Sequence, residues 1–311
     1  VVAALCDAKV TGKLESDFYN ATATSSRAAL RMRHAYVKLA WNNGECTLLA
    51  GQTADLISPL NPAVNNDFVM WGAGNLGDRR PQFRADWSPK LGPGNVFLQG
   101  MVGLTGADDN QNLDAATSTG SAYRDGEASG LPTLQARTGY RMKMWEKESF
   151  EIGFWGQRAW EKTDQRFAKK NDWGSQALGF DLSVPIYKDI VKLQSEGWCG
   201  KNLDDVRGGI FQGINTTKGR EIDSRGGWVE LGFRPPPAKW YSLHVGYATD
   251  DPQDKDLSSS GRARNRIWYI GNRFNFNPVE VGLDFLRWET DFIGFDTGRL
   301  NRIQFYIQYK F

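Results

Sequence analysis

Ser242 stands two residues before His244. On an extended strand that spacing puts a hydroxyl and an imidazole on one face, the minimum for a Ser–His nucleophile. His34 is the other of the 2 histidines, so chemistry of that kind has no further imidazole to draw on. Neither a GxSxG elbow nor an HExxH zinc motif occurs. Strand alternation alone also produces a Ser–x–His spacing, so no catalytic residue is assigned and the expectation is a protein that is not an enzyme. Cys6, Cys46 and Cys199 form no CxxC or CxxCH, which excludes an encoded zinc ribbon or c-type haem. No metal and no cofactor is expected.

The remaining chemistry is charge, and its distribution is the informative feature. Lys and Arg total 38 and Asp and Glu 36, a net charge of +2, so no broad footprint for nucleic acid exists. Mean hydropathy is −0.52, and no window approaches the roughly 20 apolar residues a membrane-spanning helix needs. A barrel hides its membrane signal in alternation instead. Aromatic residues make up 13% of the chain, with 12 Trp, and they fall on alternating positions and near segment ends. That suits aromatic girdles at two membrane interfaces. Val1 opens neither a basic start nor an apolar h-region. The chain is therefore expected to be cytoplasmic or mature, and the alternation favours mature.

The elements that must carry these charges have period two. Ile303, Phe305, Ile307, Tyr309 and Phe311 alternate with Arg302, Gln304, Tyr306, Gln308 and Lys310. Leu134, Ala136, Tyr140 and Met142 oppose Gln135, Arg137, Arg141 and Lys143. Phe83, Ala85 and Trp87 oppose Gln82, Arg84 and Asp86. Val279, Val281, Leu283 and Phe285 oppose Glu280 and Asp284. Two stretches break the rule. Arg31 and Arg33 share parity with Val37, Leu39 and Trp41, and Arg266 and Asn272 share parity with Trp268 and Ile270. A bulge midway or a subunit interface would account for either.

Short turns are expected at Asn42–Glu45, Lys90–Gly94, Glu146–Lys147, Tyr187–Asp189, Pro235–Ala238 and Asn277–Pro278. Longer polar loops are expected at Asn20–Ser26, Thr53–Arg79, Gly106–Gly130, Lys162–Asn171, Gly200–Gly226, Thr249–Gly261 and Thr290–Gly298. Strict alternation of short and long is the layout of a barrel with short periplasmic turns and long extracellular loops. The expected fold is all-β: a transmembrane up-and-down antiparallel β-barrel of about 14 strands, each of roughly 10 residues. The count rises to about 16 if Thr53–Arg79 and Gly200–Gly226 each hide a hairpin. With no internal repeat beyond the hairpin and no linker, one domain over 1–311 is expected.

The C-terminus resembles the terminal strand of Gram-negative outer-membrane barrels, with Tyr309 and Phe311 completing the alternating series. The resemblance implies that this strand is read by that family's assembly machinery and that the chain lies in the bacterial outer membrane. Arg33-His34-Ala35-Tyr36-Val37, then Gly51-Gln52-Thr53, then Arg80-Pro81-Gln82 and Arg84, are similar to the early strands of DcaP-like trimeric porins. That narrower resemblance covers roughly the first quarter of the chain and implies a homotrimer and 16 strands. The partners implied are outer-membrane lipids, lipopolysaccharide and small hydrophilic solutes.

About eight strands already leave an interior that side chains just fill, so 14 should leave a channel unless a loop folds in. Parity assigns Lys13, Glu15, Arg84, Asp86, Arg137, Arg141, Glu230, Arg273, Glu280, Asp284, Arg302 and Gln304 to its wall. Rings of charged side chains set ion preference in pores. Here a basic stretch runs from Arg84 through Arg141, and an acidic one surrounds Glu280 and Asp284. Thr53–Arg79 and Gly106–Gly130 are the two loops that could narrow the channel. The porin resemblance favours Gly106–Gly130, with Asp108, Asp109, Asp114 and Asp125 as the acidic constriction facing Arg137 and Arg141. The topology puts Cys6 before the first strand and Cys46 after the first short turn, both on the oxidising periplasmic side, and a Cys6–Cys46 disulfide is expected. The functional expectation is a porin that passes small hydrophilic solutes or ions. A barrel sheath or adhesin working with a partner protein is the alternative, and an outer-membrane hydrolase a more distant one.

Overall fold

The computed structural model describes residues 7–19, 29–64, 69–106, 113, 128–146 and 148–309. Its strands are β1 (Lys9–Tyr19), β2 (Ala29–Trp41), β3 (Cys46–Ala54), β4 (Arg79–Trp87), β5 (Lys90–Leu91), β6 (Gly94–Gly103), β7 (Thr133–Lys143), β8 (Ser149–Phe167) and β9 (Lys170–Tyr187). They continue as β10 (Val191–Lys201), β11 (Ile214–Asn215), β12 (Arg220–Glu221), β13 (Asp223–Phe233), β14 (Tyr241–Pro252), β15 (Arg262–Asn275), β16 (Val279–Phe292) and β17 (Phe295–Tyr309). The main sheet runs β1-β2-β3-β4-β6-β7-β8-β9-β10-β13-β14-β15-β16-β17, every pair antiparallel and in chain order, with β5 paired only to β6. Along this path the expected 14 strands are met. Gly200–Gly226 does contain a hairpin, but β11 and β12 form their own two-stranded sheet, so the count does not rise to 16.

Two expected long loops are absent. β8 and β9 run on to a two-residue turn at Ala168 and Lys169, both with positive φ (48° and 71°), where Lys162–Asn171 was expected to be loop. This is the primed-turn geometry that matches strand twist. β16 and β17 likewise meet across Ile293 and Gly294 in place of a Thr290–Gly298 loop. In both cases polar residues extend the ladder beyond the apolar belt, and composition alone reads that polarity as loop.

One parity break is a bulge. Glu15 pairs His34 and Ser16 pairs Met32, which leaves Arg33 extra in β2. Leu30 and Met32 point outward before it and Val37 after it, so Arg31 and Arg33 face inward together with His34. The β15 break is different: the β14–β15 register is unbroken there, and Arg266 stays on the outer face, paired to Asp291 at 2.9 Å.

Leu231, Val245, Ile270, Phe285 and Ile303 lie in register across five neighbouring strands. All five are exposed. The row is flanked on the loop side by the Tyr247–Trp268 pair, centroids 5.3 Å apart, and on the turn side by Trp240 stacked on Phe274 and Phe276 at 6.1 and 5.7 Å. At about 3.3 Å per residue, Trp240 and Tyr247 are separated by about 23 Å of strand, which at a tilt of about 35–45° spans most of the height of the apolar band of an outer-membrane barrel. Phe285→Arg in the middle of this row is expected to destabilise the barrel by about 2–4 kcal/mol when it refolds into vesicles from urea. The same change in detergent should cost less.

Residues on the opposite face are polar and buried. Gln135, Arg137, Glu196, Glu230 and Asp284 are each at most 6% exposed. Gln135, Glu196 and Glu230 are covered by a segment between β3 and β4. It bonds the inner faces of β7, β10, β13 and β15 at once. One short segment reaches that face of strands so far apart only if the sheet curls round it, so the meander is a barrel with this segment inside.

Candidate functional site

The inward segment is Asp55–Val64 and Val69–Asp78. Pro59, Pro62, Gly72, Gly74 and Gly77 keep it out of the ladder, and its apolar residues pack into the barrel rather than onto solvent. Ile57 and Leu76 join Trp155, Trp198, Leu203 and Val206 in one cluster. Val64, Met70 and Ala73 join Ile267, Tyr269 and Leu286 in another.

Its polar anchors are wall side chains that bind segment backbone. Gln135 Oε1 accepts from Leu56 N at 2.8 Å. Glu196 accepts from Leu60 N at 2.8 Å, Trp228 Nε1 at 3.1 Å and the Ser58 hydroxyl. Glu230 accepts from Ala63 N at 2.7 Å, and Trp198 Nε1 donates to Gly74 O at 2.7 Å. Gly74 has φ +120°, and a Cβ there would meet Gly227 O and Thr249 O, both backbone atoms of the wall. Gly74→Val is therefore expected to force the segment off β13 and β14. It should cost about 2 kcal/mol or more in urea unfolding from vesicles.

Both roots of the segment are tied to one buried cation. Arg80 is fully buried. It donates to Asp55 at 2.7 and 3.1 Å, to Leu104 O at 2.8 Å, and to Asp205 through Oδ2 and the carbonyl, each at 3.2 Å. Asp205 belongs to a second inward stretch, between β10 and β13. Arg207 of that stretch donates to Asp78 at 2.9 Å and lies over the Trp71 ring at 3.9 Å. Its hairpin is held from the wall by Lys170 Nζ on Glu221 at 2.9 Å. Burial alone would raise the Glu221 carboxyl, but the Lys170 ammonium and the Gly174 N–H outweigh it and hold it below its ordinary range.

Between this segment and the early strands lies a space of about 620 Å³. Arg33 and His34 of β2 and Arg79 and Arg84 of β4 line one side, and Asp55, Ser58, Asn61, Trp71 and Asp78 the other. Arg33 is paired with Glu15 at 2.7 Å and Asp17 at 2.9 Å, and Arg84 with Asp86 at 2.8 Å. His34 Nδ1 lies 3.0 Å from Thr53 Oγ1. The Arg79 guanidinium has no carboxylate within salt-bridge distance among the described residues, because its neighbour Asp78 is taken by Arg207. The three sequence segments that resemble DcaP-like porins meet here, on adjacent strands β2, β3 and β4.

The twelve wall residues expected from parity all share the inner face, but they come together as separate ion-paired groups. Lys13 binds Glu15 at 2.6 Å. Arg84, Asp86, Gln99, Arg137 and Asp181 form one continuous chain of bonds across β4, β6, β7 and β9. Arg137 and the exposed Arg141 share Glu151. Arg273 binds Asp284, and Glu280 accepts from Tyr306 at 2.6 Å. Arg302 is exposed and Gln304 half-buried on β17. Sequence reasoning missed Arg33, His34, Arg79 and Arg80 as wall groups. The bulge hides the first two, Arg79 ends the stretch expected to be loop, and Arg80 stands just beyond it.

Asp108, Asp109, Asp114 and Asp125 of the expected acidic constriction lie outside the described residues, as do Cys6 and Phe311. From that loop Leu113 packs with Trp173 and Ile214. Cys46, at the start of β3, is half-buried with no disulfide partner among the described residues. Tyr309 pairs with Val279 and its side chain is exposed.

No protein-family model matches the chain, and no curated protein matches it in sequence. Solved structures do match its fold. One is the outer membrane channel DcaP of Acinetobacter baumannii, with TM-score 0.74 and 18% identity over 98% of this chain and 81% of that one. Another is an anion-selective porin from Comamonas acidovorans, with TM-score 0.56 and 13% identity over 97% and 83% of the two chains. A third is a loop-deletion mutant of OmpT, an outer membrane protein of Vibrio cholerae, with TM-score 0.51 and 9% identity over 97% and 86%. These likenesses show that the chain has the fold of outer-membrane porin and channel barrels.

Proposed function

We propose that the chain is a pore of the Gram-negative outer membrane that passes small hydrophilic solutes by diffusion and prefers anions. The observation that carries the preference is Arg79. Arg79 lines the space beside the inward segment with no carboxylate within salt-bridge distance among the described residues, in the same lining as Arg33, His34 and Arg84. A fixed positive group in a narrow passage with low-dielectric walls concentrates anions and repels cations. The constriction in this reading is the segment Asp55–Asp78 against β2 and β4. The names of the matching channel and anion-selective porin support the same reading. The apolar row from Leu231 to Ile303 supports the membrane setting, with outer-membrane lipid and lipopolysaccharide around it. Assembly as a homotrimer rests on the resemblance of β2–β4 to trimeric porins, and migration of the unheated protein in a gel checks it.

Liposome swelling tests the pore and its preference together. Vesicles carrying the protein are expected to swell faster with a small carboxylate than with an uncharged or cationic solute of the same size. Equal rates for all three would remove the preference, and no swelling with any of them would remove the pore.

A further inference from the structure

On the turn side of the inward segment the lumen widens into a second space, of about 500 Å³, lined by Ser242, His244, Arg273, Arg234, Lys239 and Glu280 among others. Ser242 Oγ lies 3.1 Å from His244 Nε2, and His244 Nδ1 lies 2.9 Å from Glu230 Oε1. The other Glu230 oxygen accepts from Ala63 N at 2.7 Å and from the Tyr269 hydroxyl at 2.8 Å. A carboxylate only accepts, so the Nδ1 contact is a donation from His244 to Glu230, and in the neutral tautomer that makes it Nε2 accepts from the Ser242 hydroxyl. Glu230 is 3% exposed and locked from three sides, while Ser242 is half-buried and opens on the cavity. Nucleophile, base and a buried acid that orients the base stand in hydrogen-bond order, which is how a triad is recognised on any fold. Directly across the β14–β15 ladder from Ser242 is Arg273, a cation held rigidly by Asp284 and Ala63 O.

We propose that Ser242, His244 and Glu230 form a serine acyl-transfer site that hydrolyses small carboxylic esters, favouring esters that carry an anionic group. Ser242 Oγ bonds to the ester carbonyl carbon, and its proton passes to His244 Nε2. The carbonyl oxygen takes the negative charge, facing Arg273. Collapse breaks the ester C–O bond, and the alcohol leaves with the proton from His244. Water, deprotonated by His244, then attacks the acyl-serine, and the acid leaves as Ser242 regains its proton. No co-reactant beyond water is needed. Among the described lining cations Lys239 has no carboxylate within salt-bridge distance, whereas Arg234 reaches Glu148 at 3.6 Å and Arg273 is bound by Asp284, so Lys239 is the group that selects for a negative charge on the ester. The site does not depend on the anion preference of the constriction, and its readouts are covalent labelling and ester hydrolysis.

The test is active-site labelling of the detergent-purified protein with a small alkyl fluorophosphonate, read by peptide mass spectrometry. Hydrolysis of p-nitrophenyl acetate and p-nitrophenyl hydrogen succinate is measured alongside. The expected result is one phosphonylated residue, Ser242, no label in S242A, and labelling slowed at least about a hundredfold in H244Q. Ester hydrolysis should fall by a similar factor in S242A, with the succinate ester the better substrate of the wild type. Unheated gel mobility and solute flux that match the wild type show that both variants are folded. Absence of label at Ser242, equal labelling in H244Q, or unchanged hydrolysis in S242A would each overturn the proposal, and would mean that the three groups only brace β13 against β14.

Discussion

Charge reversal at Arg79 and Arg84 is expected to turn an anion-preferring pore into a cation-preferring one. Two unit charges 4 Å apart interact by about 1 kcal/mol in water and about 4 kcal/mol at the effective dielectric near a protein surface. A difference of 1.4 kcal/mol is about tenfold in an equilibrium. Arg79→Glu alone exchanges an unneutralised cation for an anion beside Asp55 and Asp78, so it should move the anion-to-cation permeability ratio by about tenfold or more. Arg84 is already paired with Asp86. Arg84→Glu should therefore add less, through the carboxylate it leaves unpaired. The checking measurement is the reversal potential of each variant in a salt gradient, and its sign should change in the double variant. The effect should shrink as salt rises, because the screening length falls from about 10 Å at 0.1 M to about 3 Å at 1 M. A ratio that stays with the wild type would mean that the ions pass elsewhere in the barrel.

The second large effect concerns Arg80. Removing one partner of a buried, fully bonded ion pair costs about 3–5 kcal/mol, because the remaining charge stays buried and unpaired. Arg80→Ala leaves Asp55 in that state, takes one partner from Asp205, and frees the Leu104 carbonyl as well. The change acts at both ends of the constriction, since Asp55 roots the inward segment at β3 and Asp205 belongs to the second inward stretch. The expected outcome is lower resistance to urea together with a larger, noisier conductance, as the segment leaves the wall. A variant that loses stability but conducts like the wild type would separate the two roles and show that the other wall bonds, from Gln135, Glu196, Trp198 and Glu230, hold the segment without Arg80.

Legibility in the sequence divides along physical lines. Strand alternation is local, so 14 strands are legible from period two, whereas the parity break at Arg31 and Arg33 fits a bulge or a subunit interface equally and the fold shows the bulge. Polarity is an ambiguous signal at strand ends. Residues such as Asp164, Gln165 and Arg166 before Ala168, and Thr290, Asp291, Asp296 and Thr297 about Gly294, rise beyond the apolar belt, and nothing local distinguishes their polarity from that of a loop. The inward segment left a trace that was not used. Leu56, Ile57, Val64, Met70, Trp71 and Leu76 make Thr53–Arg79 too apolar for a stretch that runs over a surface. Which loop turns inward is fixed by partners far along the chain, such as Arg80 with Asp205 across 125 residues and Ser58 with Glu196 across 138. No spacing rule reaches that far. The pairing of the wall charges is not visible in the sequence. Arg137 reads as a free cation in sequence and is bound by Asp181, Glu151 and Gln99 in the fold.

The most direct test of the central claim is single-channel recording of the wild-type protein in a planar bilayer with a potassium chloride gradient across it. Stepwise ohmic conductance with a reversal potential on the chloride side is the predicted result. Insertion without steps would mean that the segment Asp55–Asp78 seals the barrel rather than narrowing it. Steps with a reversal potential on the potassium side would contradict Arg79 as the group that sets the preference.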